Sequence, residues 1–178
     1  MKRGFTLIES LTVIAVIGTL ASLTFYVISQ AQRQARDAAR RSDLTALAVT
    51  FKARYEAKTC PAASRNRYPG FEDVQNANEW HPVSELEGYT DDCGAFSEFL
   101  ATIPKEPKDG SFPYQFNLSN ESDVIGKHFR LKARLEKTLS SSQRQENCRG
   151  GVTWTETFGG AAYDNCQDPN TYNYFVGD

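Results

Sequence analysis

The feature that most constrains the fold of this chain is an uncharged run near its amino terminus, from Ser10 to Gln32. A helix of about 20 mostly apolar residues is long enough to cross the roughly 30 Å hydrocarbon core of a bilayer. The run is 23 residues long, while 24% of all 178 residues are charged, as in an ordinary water-soluble protein. The sequence therefore predicts a membrane-spanning helix followed by a polar domain.

The segment before this run is short and basic, Met1-Lys2-Arg3-Gly4. A cleaved secretory signal has an apolar core of about 7 to 15 residues, followed by a site of small residues. Because the apolar run here is longer, we expect it to remain in the mature protein.

One carboxylate, Glu9, stands at the start of the apolar segment, directly after Phe5-Thr6-Leu7-Ile8. An unpaired carboxylate in hydrocarbon costs about 3 kcal/mol on insertion scales, so an acid in such a place usually has a partner and a function. The alternative is that Glu9 lies at the level of the lipid headgroups, solvated and without a role.

The sequence Gly4-Phe5-Thr6-Leu7-Ile8-Glu9 resembles the processing site of type IV pilins and pseudopilins. The resemblance implies that a prepilin peptidase in the membrane cleaves after Gly4 and methylates the new amino terminus at Phe5. It also implies that Glu9 is the assembly glutamate. Cleavage would create an ammonium at Phe5, and pairing with Glu9 of a neighbouring subunit would offset the burial of both charges.

The same resemblance implies an α+β fold, in which a long amino-terminal helix packs on a small antiparallel sheet. We predict a leader peptide at residues 1–4, a helix over residues 5–58 and a disulfide-bonded globular head over residues 59–178. Residues 5–32 would span the membrane and later form the filament core. A stripe at helical spacing is predicted to pack under the head: Leu44, Leu47, Ala48, Phe51 and Tyr55.

Basic residues dominate the part of the helix that follows the apolar run. We expect Arg36, Arg40 and Arg54 to lie on the face opposite the stripe, and Asp37 to pair with Arg41 at i, i+4 spacing. Three uses of the arginines remain open: a solvated face, contacts with acidic patches of adjacent subunits, or binding of lipid headgroups or DNA.

Four cysteines lie beyond the apolar run, and none forms a C-x-x-C pair. Two structural disulfides in an oxidising compartment are the better interpretation. Four cysteines allow three connectivities, and we favour the local pairs, Cys60 with Cys93 and Cys148 with Cys166.

Alternating apolar and charged residues predict a strand over residues 129–136, and weaker patterns predict strands at 114–118, 152–158 and 172–176. One or two helical turns are expected within residues 95–103. The proline-rich segment 103–114 resembles the loop before the first sheet strand of major pseudopilins and predicts irregular backbone.

For function, the chain shows no recognised catalytic motif around its two histidines, His81 and His128, so we predict neither an enzyme nor a metal or cofactor site. The resemblance implies a structural subunit of a type IV pilus that supports adhesion, twitching motility or DNA uptake. Its partners would be copies of itself, other pilins, prepilin peptidase and the inner-membrane assembly machinery.

The predicted location is the cytoplasmic membrane before assembly, with the amino terminus in the cytoplasm, and an extracellular filament afterwards. The positive-inside rule alone would invert this orientation, because two basic residues precede the apolar run and four closely follow it. Two alternatives remain: a pseudopilin of a type II secretion system, and a membrane-anchored extracytoplasmic protein that does not polymerise.

Overall fold

The computed structural model describes residues 6–57, 60–61, 67–68, 80–108, 110, 112–118, 128–137, 140, 142 and 174–177. Within these residues one long helix precedes an antiparallel sheet, which confirms the predicted α+β fold. The elements are α1 (Leu7–Tyr55), β1 (His81–Pro82), β2 (Thr90–Asp91), β3 (Gly94–Ala95), β4 (Gln115–Leu118), β5 (Phe129–Ala133) and β6 (Tyr174–Gly177).

The helix α1 is 49 residues long. At 1.5 Å per residue this corresponds to about 74 Å. It begins after its N-cap, Thr6, and contains no proline. Its last turn carries Lys52 and Arg54, whose charges complement the partial negative charge of a helix C-terminus.

The main sheet has the strand order β1-β4-β5-β6, and every neighbouring pair is antiparallel. Leu131 of β5 lies opposite Phe116 of β4 on one side and Val176 of β6 on the other. Gly177 is required for the close approach of β6, because a Cβ there would come within 2.5 Å of the carbonyl oxygen of Phe129. β2 and β3 form a separate hairpin.

The predicted stripe of α1 packs under the head. Phe51 is fully buried, and its ring centroid lies 5.2 Å from that of Phe129 and 5.8 Å from that of Phe96. Burying one such side chain contributes about 1.5–3 kcal/mol, so this cluster is the main apolar attachment of the head to the helix. The stripe residues in contact with the core are Leu44, Leu47, Ala48, Phe51 and Tyr55.

The strand β5, which the alternation predicted over residues 129–136, ends earlier, at Ala133, and is buried on both faces. Its apolar residues join the core next to α1. Its alternating cations are also buried: Arg130 is 4% exposed and Lys132 is 3% exposed. Their charged groups lie over the ring of Trp80, at 4.8 Å and 3.9 Å from its centroid. The alternation thus separated two chemical faces, but the polar face does not meet solvent.

The shorter elements of the head agree with the sequence to different degrees. β4 and β6 confirm the strands predicted at 114–118 and 172–176. The helical turns predicted within 95–103 are reduced to one 3-10 turn at Phe96–Glu98. The strand predicted at 152–158 lies outside the described residues.

Candidate functional site

The first part of α1 has no partner among the described residues of the chain. Residues 6–35, which we call the apolar half, are all exposed. Leu7 is 82% exposed, Ile8 72% and Phe25 75%. The helix is long and apolar enough to cross a membrane, and none of its most apolar window is buried. An apolar surface of this extent marks a contact with lipid or with other protein chains.

The hydroxyl groups in the apolar half do not require water. Thr19 and Ser22 each donate a hydrogen bond of 2.8 Å to the carbonyl oxygen three residues earlier, and Thr12 and Ser29 do so at 2.9 Å. Thr24 donates to the carbonyl oxygen of the residue four positions earlier. Because these hydroxyl donors are satisfied within the helix, they can enter hydrocarbon or a bundle of helices without being left unpaired.

The start of α1 is a capping box between Thr6 and Glu9. The hydroxyl oxygen of Thr6 accepts the backbone N–H of Glu9 at 3.3 Å. In return, Oε2 of Glu9 accepts the backbone N–H of Thr6 at 3.3 Å and its hydroxyl at 3.1 Å. The helix dipole adds to this arrangement, because a negative charge in the first turn is stabilised by the partial positive charge of the N-terminus.

Of the residues predicted to act in processing and assembly, the structure describes Glu9, whereas Gly4 and Phe5 lie outside the described residues. The side chain of Glu9 is exposed at the start of the apolar half, four residues along the chain from the predicted new amino terminus at Phe5. The sequence reasoning did not identify Thr6 as the partner of Glu9. The pattern Thr-x-x-Glu before an apolar run was the available indication of a capping box.

Besides the capping box, a second group of polar side chains lies where α1 meets the head. We call this group the junction cluster; it consists of Arg36, Asp37, Arg40, Glu106 and Glu136. Nε of Arg40 donates to Oε1 of Glu106 at 2.9 Å, and its Nη1 donates to Oδ1 of Asp37 at 2.7 Å. Arg36 forms a two-pronged pair with Glu136, at 2.5 Å and 2.8 Å. The cluster thus joins the helix to two separate segments of the head.

The prediction that Arg36, Arg40 and Arg54 lie opposite the apolar stripe is wrong for Arg40 and Arg54, which are 2% and 1% exposed. Both face the head because they follow the same helical spacing as the stripe. Asp37 pairs with Arg40, three residues away, instead of with Arg41. Arg40 and Arg54 are buried and pair with carboxylates of their own chain, so they do not form a solvated face. Arg36 also pairs with a carboxylate of its own chain but keeps part of its side chain exposed.

These ion pairs shift the pKa values of the carboxylates. Hydrogen bonding to Arg36, with a further contribution from Arg40, lowers the pKa of Glu136 to about 2. Burial acts to raise the pKa of Glu106, but hydrogen bonds from Arg40 and from backbone N–H groups of the following loop outweigh it and lower this pKa. Both carboxylates therefore stay ionised at neutral pH and keep their attraction to the guanidinium groups.

The far end of α1 is held by a second ion pair and a disulfide. Arg54 pairs with Asp91, whose other carboxylate oxygen accepts the backbone N–H of Cys93 at 2.9 Å. Cys93 is bonded to Cys60, just beyond the helix, which confirms one of the two local disulfides. The other two cysteines, Cys148 and Cys166, lie outside the described residues.

Within the part of the chain that the structure describes, no group of three or more His, Cys, Asp or Glu side chains is arranged to hold a metal ion.

Residues 1–25 match a family model described as the prokaryotic N-terminal methylation motif. The matched range contains the basic leader, the capping box and the first part of the apolar half, so the match and the geometry concern the same segment. No curated protein and no solved structure matches the chain.

Proposed function

We propose that this chain, whose residues 1–25 match the prokaryotic N-terminal methylation motif and so support a type IV pilin-like or pseudopilin-like protein, is a structural subunit of a type IV pilus. The motif implies a precursor that is processed by prepilin peptidase and assembled with other pilins. The observation that supports the filament most directly is the apolar half, exposed along its whole length and tipped by a carboxylate.

The apolar half suits two surroundings in turn. Before assembly, the bilayer covers it, and residues 1–4 lie in the cytoplasm. After cleavage between Gly4 and Phe5, apolar halves of neighbouring subunits cover one another in the filament core. The heads, residues 59–178, then form the outer surface. In both surroundings the apolar side chains leave water, which is the main favourable contribution to burial.

The carboxylate of Glu9 distinguishes an assembling subunit from a plain anchor. An anchor does not need a charge at this depth, because each unpaired charge in hydrocarbon opposes insertion. In a filament, Glu9 meets the ammonium that cleavage creates at Phe5 of a neighbouring subunit, and the pair is favourable in a medium of low dielectric constant. The capping box presents Glu9 at the tip of the helix, where that ammonium would arrive.

A pseudopilin of a type II secretion system is the second candidate. The proline-containing segment Ile103–Pro107, which forms neither helix nor strand, agrees with the irregular loop expected from the resemblance to major pseudopilins. We favour a pilus subunit because a long acidic segment and a second pair of cysteines enlarge the head.

The proposal is tested by shearing filaments from cells that express the native chain and examining them by electron microscopy and intact-mass spectrometry. We expect filaments that contain this chain, without residues 1–4 and with a methylated amino terminus at Phe5. Full-length chains that begin at Met1 in assembled material would overturn the proposed processing. A processed chain found only in the membrane, with no filaments, would favour the anchor, and dependence of secretion on the chain would favour the pseudopilin.

A further inference from the structure

We propose that Arg40 is a positioning residue, which sets the direction in which the head is held on α1 and so permits regular assembly. The inference rests on the proposed function, since the direction of the head matters only where many heads must fit together. Its basis is the geometry of the junction cluster, in which one buried guanidinium contacts the helix and two separate segments of the head.

The guanidinium of Arg40 is shared among carboxylates from three parts of the chain. Asp37 lies one turn earlier on α1. Glu106 belongs to the irregular segment between the 3-10 turn at Phe96–Glu98 and β4. Glu136 lies just after β5, with its Oε1 at 3.2 Å from Nη2 of Arg40. A planar group with five N–H donors can hold three such partners in one arrangement, which a point charge cannot do.

The carboxylates of the cluster are in turn bonded to the backbone of the segments that they hold. Asp37 accepts the backbone N–H of Glu136 at 2.8 Å and that of Lys137 at 2.9 Å. Glu106 accepts the backbone N–H of Lys108 at 2.9 Å. The position of each head segment therefore depends on the side chains around Arg40, and not only on the strand to which it is joined.

The location of the cluster along α1 explains why it affects direction. The apolar core and the disulfide hold the head along the helix from Leu44 to its end. The cluster extends this attachment along the helix from Leu44 to Arg36. These two residues are separated by about 12 Å at 1.5 Å per residue, and Arg36 is the one nearer the apolar half. Without the cluster, the attachment would begin at Arg41, which lies over the ring of Tyr174, and at Asp43, which accepts the hydroxyl of Tyr114 at 2.7 Å. The head would then tilt more freely on the helix, because the segments that carry Glu106 and Glu136 would lose their ion pairs with Arg40.

The chemical nature of the cluster supports the same conclusion. Apolar residues at such buried positions often give equal or greater stability than ion pairs, because charges lose their hydration on burial. What a hydrogen-bonded ion pair adds is a defined geometry, and the two-pronged contact of Arg36 with Glu136 is of this directional kind. The cluster therefore contributes to the arrangement of the head more than to its folding.

The test compares Arg40→Met, which keeps an unbranched side chain without the charge, with Lys52→Ala. Lys52 is an exposed residue of α1, so this control removes one positive charge of the same helix outside the cluster. Arg41 is unsuitable as a control, because its guanidinium lies 5.6 Å from the ring centroid of Tyr174 in the head. Amide hydrogen exchange is measured on the full chain in detergent micelles, and filament yield is measured on cells that express the same variants.

For Arg40→Met we expect exchange at residues 103–108 and 134–137 to rise on the order of tenfold or more, because the buried carboxylates of Asp37 and Glu106 lose their charged partner. Exchange at residues 44–54 of α1 should stay unchanged, and filaments should be lost. Lys52→Ala should match the wild-type chain in both measurements. Arg40→Lys should restore the charge but not the three-way contact, and so recover only part of the filament yield.

Two results would overturn this proposal. One is faster exchange throughout the head in Arg40→Met, which would give Arg40 a general role in stability. The other is a normal filament yield from Arg40→Met while Glu9→Ala yields none, which would leave the proposed function intact. If the wild-type chain itself forms no filaments, the proposed function fails, and with it the role of Arg40 in assembly.

Discussion

Replacing Glu9 separates two roles of its carboxylate, helix capping and charge pairing. In Glu9→Gln the side-chain amide oxygen can still accept the backbone N–H and the hydroxyl of Thr6, which Glu9 accepts at 3.3 Å and 3.1 Å. The charge is lost but the cap is kept. In Glu9→Ala both are lost. The pair of variants therefore isolates the contribution of the charge.

The expected magnitudes of the two effects differ. Loss of a capping interaction costs about 1 kcal/mol of helix stability. An ammonium at Phe5 that enters the filament core without a carboxylate costs about 3–5 kcal/mol, by analogy with broken buried ion pairs. That corresponds to a weakening of subunit docking by roughly 100-fold to more than 1,000-fold. Each variant still inserts, because removing a charge makes burial in lipid more favourable.

We expect both Glu9→Gln and Glu9→Ala to remain in the membrane with a folded head and to lose filaments to a similar extent. Filament yield is measured by shearing and electron microscopy, with membrane fractionation of the same cells. Thr6→Val, which removes the hydroxyl and keeps the charge, serves as the control and should reduce the yield far less. Normal filaments from Glu9→Gln would refute the charge-pairing argument and leave only a capping role for Glu9.

Three predictions concern the head and are measured on the full chain in detergent. Phe51→Ala should lower the free energy of unfolding by about 3–5 kcal/mol in denaturant titrations, since the ring is fully buried; a loss below about 1 kcal/mol would contradict its central place in the core. Joint replacement of Cys60 and Cys93 by Ser should cost about 3–4 kcal/mol, as expected for a loop closed over 33 residues, and unchanged stability would show that the disulfide adds no constraint. Because the pKa of Glu136 falls from 4.5 to about 2 on folding, its contribution is complete above the unfolded value and lost as the pH approaches 2. The stability difference between the wild-type chain and Glu136→Gln should therefore shrink between these pH values, and a constant difference would argue against the ion pair.

The amino-terminal segment was determined by its sequence to an unusual degree, because its structure depends on local interactions. An uncharged run of 23 residues without proline can satisfy its backbone in lipid only as a helix. The cap between Thr6 and Glu9 acts within one turn. The periodic stripe around Phe51 and the local disulfide between Cys60 and Cys93 also follow from short-range patterns.

The burial of Arg40 and Arg54 could not be predicted from the sequence pattern. Asp37, Arg40, Leu44, Leu47, Phe51 and Arg54 follow one another at intervals of three and four residues, and all are buried. The spacing thus placed the two arginines on the face of the stripe, but their charge suggested a solvated face. Charge is a reliable indication of exposure only when no partner is present, and apart from Asp37 the carboxylates that pair with these arginines lie far away along the chain.

Only the tertiary structure decided which partners those are. Arg40 meets Glu106 at a separation of 66 residues and Glu136 at 96, and Arg54 meets Asp91 at 37. Nothing in the periodicity of a helix specifies which distant carboxylate arrives beside it, because that depends on how the sheet folds back over α1. A buried charge is tolerable only when its partners are in place, so the burial of these arginines is a property of the assembled fold and not of the helix that carries them.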